Sequence, residues 1–203
     1  ELSGYFEGKW PAEHPFREIT ATPGLGNPPA LWMLGSSNYG AQAAGILGLP
    51  YSFAHHFASA STMVATQTYR ESFRPGGAID EPYLMLGVSV LCAESDEQAQ
   101  WLAGSGSLSF VRLRTGRPGR FPTPEEAAAH EYSPQEQALI DGRVGSQVVG
   151  GPETVRDGLK DLIERTGADE LIITTAVHSH AERVRSYELI AEVVGMQPVV
   201  ATV

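Results

Sequence analysis

Apolar residues cluster along this chain in blocks whose length and spacing separate strands from helices. Leu31–Leu34 is a short run of large apolar residues and predicts a buried strand. It meets Gly35-Ser36-Ser37-Asn38, after which the small-residue stretch Tyr39–Leu47 predicts a helix stopped by Gly48. Tyr51–His56 predicts a second strand, and Ser61–Phe73 a helix whose apolar face carries Met63, Val64 and Tyr69. Tyr83–Ala93 (YLMLGVSVLCA) is the strongest strand pattern; it is nearly all apolar, which predicts cover on both faces. Ser95 predicts a cap for a helix that opens with Asp96-Glu97 and runs to about Ser109. Arg112–Glu126 predicts an irregular excursion, and Pro134–Asp141 a short helix. Pro152 suits the first turn of a helix through Arg165, followed by a strand at Leu171–Thr175 and a helix at His180–Val194. At the start, Glu1–Phe6 looks like the end of a helix, and Thr20–Pro29 predicts a Pro- and Gly-rich loop.

Strands that alternate with helices in this way predict a parallel sheet with the helices outside it. The length, 203 residues, suffices for one domain or a large part of one. The formal charge of -10 argues against a nucleic-acid-binding surface. The apolar runs are too short to span a bilayer, and a lone cysteine, Cys92, is expected to be a small core residue in a reducing cytoplasm.

The usual nucleotide and hydrolase motifs are missing. The turn GSSNYG fails the dinucleotide pattern, no Gly-Lys-Ser/Thr follows a Gly-rich loop, and no G-x-S-x-G elbow occurs. Four βα units fit half of a (β/α)8 barrel, where chemistry lies at the carboxyl ends of strands. Three such ends draw attention: Gly35–Asn38, His55-His56-Phe57 and Thr174-Thr175. Gly35, Ser36, Ser37, Asn38 and Tyr39 either turn and cap a helix or, through free amides and hydroxyls, grip a phosphate. On a strand His55 and His56 would point to opposite faces, so one lines the pocket and the other is structural. His178 and His180 have no carboxylate or cysteine cluster beside them, so no metal is expected. Asp96, Glu97, Glu125 and Glu126 suit first-turn helix charges better than a catalytic pair.

The segments LGSSNYGAQAAGILGLPYSFAHHF, YRESFRP, FVRLRTGRPG, VGGPETVRDGL and GADELIITT…HAERVRSYELIAE together resemble the carboxyl-terminal half of the luciferase-like flavin-dependent monooxygenases. The resemblance covers essentially the whole chain. It implies an α/β fold of the (β/α)8 TIM-barrel family, with residues 1–203 supplying strands 5 to 8 and an irregular insertion at about 112–134. It also implies reduced FMN and O2 as co-substrates for oxidising a small organic molecule, with the flavin phosphate at Gly35–Tyr39 and His55 or His56 beside the pocket. Family members are considerably longer, so the amino-terminal strands are expected to come from a missing half or from a second copy in a homo-oligomer. The rival reading is a flavin-binding or assembly-partner chain without turnover, and a weaker one is a phosphosugar enzyme on the same scaffold. Close relatives tend to carry Tyr-Asp-His where this chain has His178-Ser179-His180. Arg112, Arg114, Arg117 and Arg120 form either a solvated loop or a loop that folds over the site and attracts an anion.

Overall fold

The computed structural model describes residues 1–143 and 145–196, so the last seven residues of the 1–203 range lie outside the described ones. The chain divides into two compact units, residues 1–32 and 33–203. In the first, Leu2–Glu7 forms helix α1, which Gly8 ends in the left-handed conformation (φ 65°). Trp10 packs edge-on against Tyr5 with ring centroids 4.8 Å apart, and on its other side meets His14 at 4.2 Å. The rest of this unit is turns, including the expected loop at 20–29.

The second unit is built on five strands: β1 (Met33–Gly35), β2 (Tyr51–Phe53), β3 (Leu84–Cys92), β4 (Gln147–Gly150) and β5 (Glu170–Thr174). The first strand therefore starts two residues later than the apolar run, and β4 is a strand the sequence pattern misses. Its four residues lie between glycines, too few to show a period. Every pairing is parallel. Leu86 pairs with Phe53 and with Leu171, and Ser89 pairs with Gln147 and with Thr174. A residue has one neighbour per edge, so β2 and β4 share one edge of β3, and β5 takes the other. Apart from β4, the strands follow one another across the sheet in chain order, β1-β2-β3-β5.

Right-handed crossovers that advance in a single direction place every connecting helix on the same side of a sheet. Helices α2 (Asn38–Ile46), α4 (Thr62–Ser72), α8 (Pro152–Thr166) and α9 (His180–Val193) obey this. Ala41, Ala44, Ala65, Tyr69, Val155, Leu159, Leu189 and Ile190 pack in one core with Tyr51, Phe53, Leu84, Leu86, Val88 and Val90, which form the first face of the sheet. The small residues of α2 serve two neighbours, Ala41 and Ala44 the sheet core and Gly45 helix α4. A Cβ on Gly45 would stand 2.7 Å from the Tyr69 carbonyl oxygen, so at this position the close approach is to α4.

The second face carries Leu34, Ser52, Met85, Gly87, Ser89, Leu91, Ile172 and Thr174. As expected, β3 itself has no exposed residue, although Met85 and Ser89 on this face are only half-buried, and a helix covers its carboxyl end. Helix α5 (Asp96–Arg114) crosses there, and its Ala99, Leu102 and Ala103 pack on Leu91 and Val149. Lower down the face is open: Leu34 is 70 % and Ile172 57 % exposed.

Candidate active site

Residues 36–37 connect β1 to α2 at the carboxyl end of the sheet. Gly35 is needed because a Cβ there would stand 3.2 Å from the Tyr51 hydroxyl, which lies beneath the turn. Burial pushes the Tyr51 phenol up to about 12, so it stays a neutral donor; its partner is the Ser37 carbonyl at 3.4 Å. Ser37 is the N-cap of α2, with an extended backbone (φ −144°, ψ 164°). Ser95, with the same backbone (φ −145°, ψ 164°), accepts a hydrogen bond from the Gln98 amide. The N-caps Thr123, Ser133 and Ser179 also accept such bonds. Ser37 makes no side-chain capping bond, although its backbone would allow one. Its hydroxyl is uncommitted beside the first amides of a nine-residue helix, and Ser36, Ser37, Asn38 and Tyr39 are all exposed.

The histidines are not on a strand. β2 ends at Phe53, and His55–Ala58 forms the short helix α3, so strand alternation does not separate the two rings. They part nonetheless. His55 is buried, with Nδ1 2.8 Å from Thr62 Oγ1 and Nε2 3.1 Å from the Gly145 carbonyl oxygen. Both nitrogens are used within the fold, and burial lowers its pKa. His56 places Nδ1 2.7 Å from the carbonyl oxygen of Gly87, on β3. A Cβ on Gly87 would meet the His56 Cε1 at 2.9 Å, which explains a glycine inside the most apolar strand. The same ring stacks on Phe57 at 4.0 Å, and Phe57 is 82 % exposed.

Other expected groups turn out to be structural. Thr175 is buried and donates to the Val90 carbonyl at 2.7 Å. Asp96 accepts from the Gly151 amide at 2.6 Å and from Thr154 Oγ1 at 3.0 Å, tying α5 to the start of α8; the Gly151 bond is the main cause of its lowered pKa. Glu97 and Glu125 lie in first turns, as expected. Arg112 and Arg114 extend α5 one turn beyond its expected end, and Arg117 reaches Glu136 at 3.1 Å. Glu136 completes a capping box with Ser133 at the start of helix α7 (Pro134–Asp141), after the short helix α6 (Pro124–Ala128). His180 contacts Arg183 at 2.9 Å. Among the described residues no three His, Cys, Asp or Glu side chains are grouped to hold a metal, and no helix is long and apolar enough to cross a membrane.

Two cavities matter. One of about 560 Å³ runs between α4 and α8, with His55 and Val148 in its lining; its charged pair, Asp161 and Arg165, is joined at 3.1 Å. The other, about 230 Å³, lies under α5 at the carboxyl end of the second face. It is lined by Ser89, Leu91, Phe110, Phe121, Gln147 and Arg143, among others. Arg143 gave no signal in sequence, because a lone Arg between two glycine turns looks like any solvated loop residue.

The family model for luciferase-like monooxygenases matches residues 3–170. The uncharacterized protein YvbT of Bacillus subtilis (strain 168) is 41% identical over 193 residues, 95% of this chain and 56% of its own length. A luciferase-like monooxygenase of Escherichia coli (strain K12) is 35% identical over 193 residues, with the same coverage of 95% and 56%. The chain thus spans about half the length of the curated relatives it matches. The crystal structure of apo-MsnO8 superposes with a TM-score of 0.82 at 37% identity, over 89% of this chain and 55% of that one. The oxygenating constituent of 3,6-diketocamphane monooxygenase from Pseudomonas putida, solved in complex with FMN, shares the fold (TM-score 0.52, 19% identity, 82% of this chain and 48% of that one). The family model and the relatives agree: this chain belongs to the luciferase-like monooxygenase family.

Proposed function

We propose that β1, β2, β3 and β5 are the last four strands of a (β/α)8 barrel that binds FMN and oxidises a small organic substrate with O2. The observation that carries this reading is the uncommitted Ser37 hydroxyl at the start of α2. A phosphate there would accept from Ser37 and from the amides of Asn38 and Tyr39, with the helix dipole behind them. The open second face supports the same reading. Helices on one side only, with Leu34 and Ile172 bare on the other, suit a sheet whose second face lines a barrel interior.

When bound, reduced FMN supplies the electrons for the oxygen chemistry. The chain's own residues hold and shelter it. Leu34, Met85 and Ile172 offer an apolar wall that excludes water, and α5 covers the carboxyl end of that wall. A carbonyl can only accept, so His56 carries its proton on Nδ1 toward Gly87 and leaves Nε2 as an acceptor. His56 is therefore the histidine assigned to the pocket, and His55 is assigned to the fold.

Replacing Ser37 by Ala should weaken FMN binding by roughly 1–2 kcal/mol, the size of a lost charge-assisted hydrogen bond. Riboflavin, which lacks the phosphate, should bind the variant as it binds the parent. Equal losses for the two flavins in parallel titrations would remove the phosphate from this turn.

A further inference from the structure

We propose that Arg143 and the cavity beneath α5 seat the carboxylate of a small, largely apolar organic acid. As a statement about the substrate it rests on the flavin-enzyme reading above; as a statement about binding it stands on the cavity itself.

The cavity exists because of how α5 is written. Ala103, Gly106, Phe110 and Leu113 recur at helical spacing along the side of α5 that lines it. The first two are small and leave space: a Cβ added to Gly106 would meet only the Ala176 carbonyl oxygen, at 4.0 Å. The last two are large and, with Phe121, Leu91 and Val149, form apolar walls. Neutral hydrogen-bonding groups come from Ser89, Ser109 and Gln147, and among the described residues no acidic side chain lines the space.

Arg143 is half-buried in this wall. Its guanidinium lies 4.4 Å from the Phe110 ring centroid and makes one long bond, 3.4 Å, to the Gly106 carbonyl oxygen. Arg114 approaches the same ring at 5.9 Å and adds further positive charge. Burial alone lowers the Arg143 pKa, with no neighbouring carboxylate acting against it. In a chain of net charge -10, a half-desolvated guanidinium without an acidic partner is an unbalanced charge. A ligand carboxylate matches its fork with two parallel bonds and one compensating charge. An apolar tail then fills the space between Phe110, Phe121 and Leu113. The flavin phosphate is assigned its own seat after β1. Its doubly charged head would find here one lining cation, Arg143, and three neutral groups, with Arg114 5.9 Å from the Phe110 ring centroid.

Titration of the purified protein with hexanoate and with hexanamide tests this directly, read by ligand NMR line broadening. Hexanoate should bind about tenfold or more tightly than the amide, as charge-assisted bonds require. Arg143→Met keeps the apolar stem and should abolish the difference, while Arg143→Lys should restore part of it. Failure of hexanoate to bind, equal binding of both ligands, or unchanged hexanoate affinity in a folded Arg143→Met variant overturns the proposal. If Arg143→Met does not fold, the two-ligand comparison on the parent decides alone. An Arg143→Met variant that loses FMN but keeps riboflavin also overturns it, by moving the flavin phosphate to this cavity. FMN affinity of the chain joined to the complementary strands, measured separately, judges the flavin reading: hexanoate preference without FMN binding there refutes that reading and leaves the carboxylate seat standing.

Discussion

His55 and His56 follow each other in the chain, yet their imidazoles carry their protons on different nitrogens. His55 must hold its hydrogen on Nε2, toward the Gly145 carbonyl, so Nδ1 accepts from the Thr62 hydroxyl. His56 holds its hydrogen on Nδ1, toward Gly87. The buried ring resists a second proton: burial lowers the His55 pKa below its ordinary 6.5. The unfolded chain then takes up the proton first, so this contribution to stability is complete above about pH 6.5 and shrinks as the pH falls below it. Urea unfolding from pH 8 to pH 5 should show that decline, and His55→Gln should flatten it while costing about 1–3 kcal/mol at neutral pH. A parent chain with constant stability over that range would contradict the assignment. His56→Gln should leave stability nearly unchanged and alter turnover with reduced flavin in the complete site. Wild-type turnover in that variant would remove His56 from the pocket.

Between elements, the most demanding contact is that of α2 with α4. Alanine has the higher helix propensity, worth about 1 kcal/mol over glycine. At Gly45 that gain meets a Cβ placed 2.7 Å from a backbone oxygen and 2.9 Å from Ser72 Cβ, neither of which can swing away. Overpacking of this kind costs about 1–3 kcal/mol, so Gly45→Ala should be net destabilising in thermal melts. Gly87→Ala is a different case, because its added methyl meets the end of a side chain. That variant should fold and displace His56, visible as an altered His56 imidazole signal in NMR spectra. An unaltered signal would show that the ring does not rest on Gly87. The cap at Ser95 was legible beforehand, and in the structure it bonds an amide three residues on, as Thr123 and Ser133 also do. Strand β4 was not legible, because its four residues are too few to show a period.

At the scale of the molecule, β1 and β5 each present an edge that no strand pairs among the described residues, and the second face between them is partly bare. Parallel sheets are stable when both faces are covered, and open edges recruit further strands. The 203-residue chain by itself is therefore expected to associate, with a second copy or with a chain carrying the complementary strands. On the barrel reading proposed above, it should also bind FMN weakly in the absence of the complementary strands. Sedimentation across a concentration series should show oligomers, and a paired Leu34→Glu and Ile172→Glu substitution should shift them toward monomer. A compact monomer with tight FMN binding would mean that these strands close in another way.

What the chain's pattern determined without a structure was much of what is set within a few residues: the alternation of the longer strands and helices, most of their bounds, and the helix-end residues Gly48, Ser95 and Pro152. Such signals are local, because a side chain's period and a cap's bond reach three or four positions along the backbone. Only the tertiary structure decided which face of the sheet stays open, which histidine serves the fold, and where Arg143 comes to rest. Each of those depends on partners far away in sequence, His55 on Gly145 across 90 residues and His56 on Gly87 across 31. No local pattern carries them, because the free energy that sets them comes from burial and pairing, which arise only once the sheet has formed.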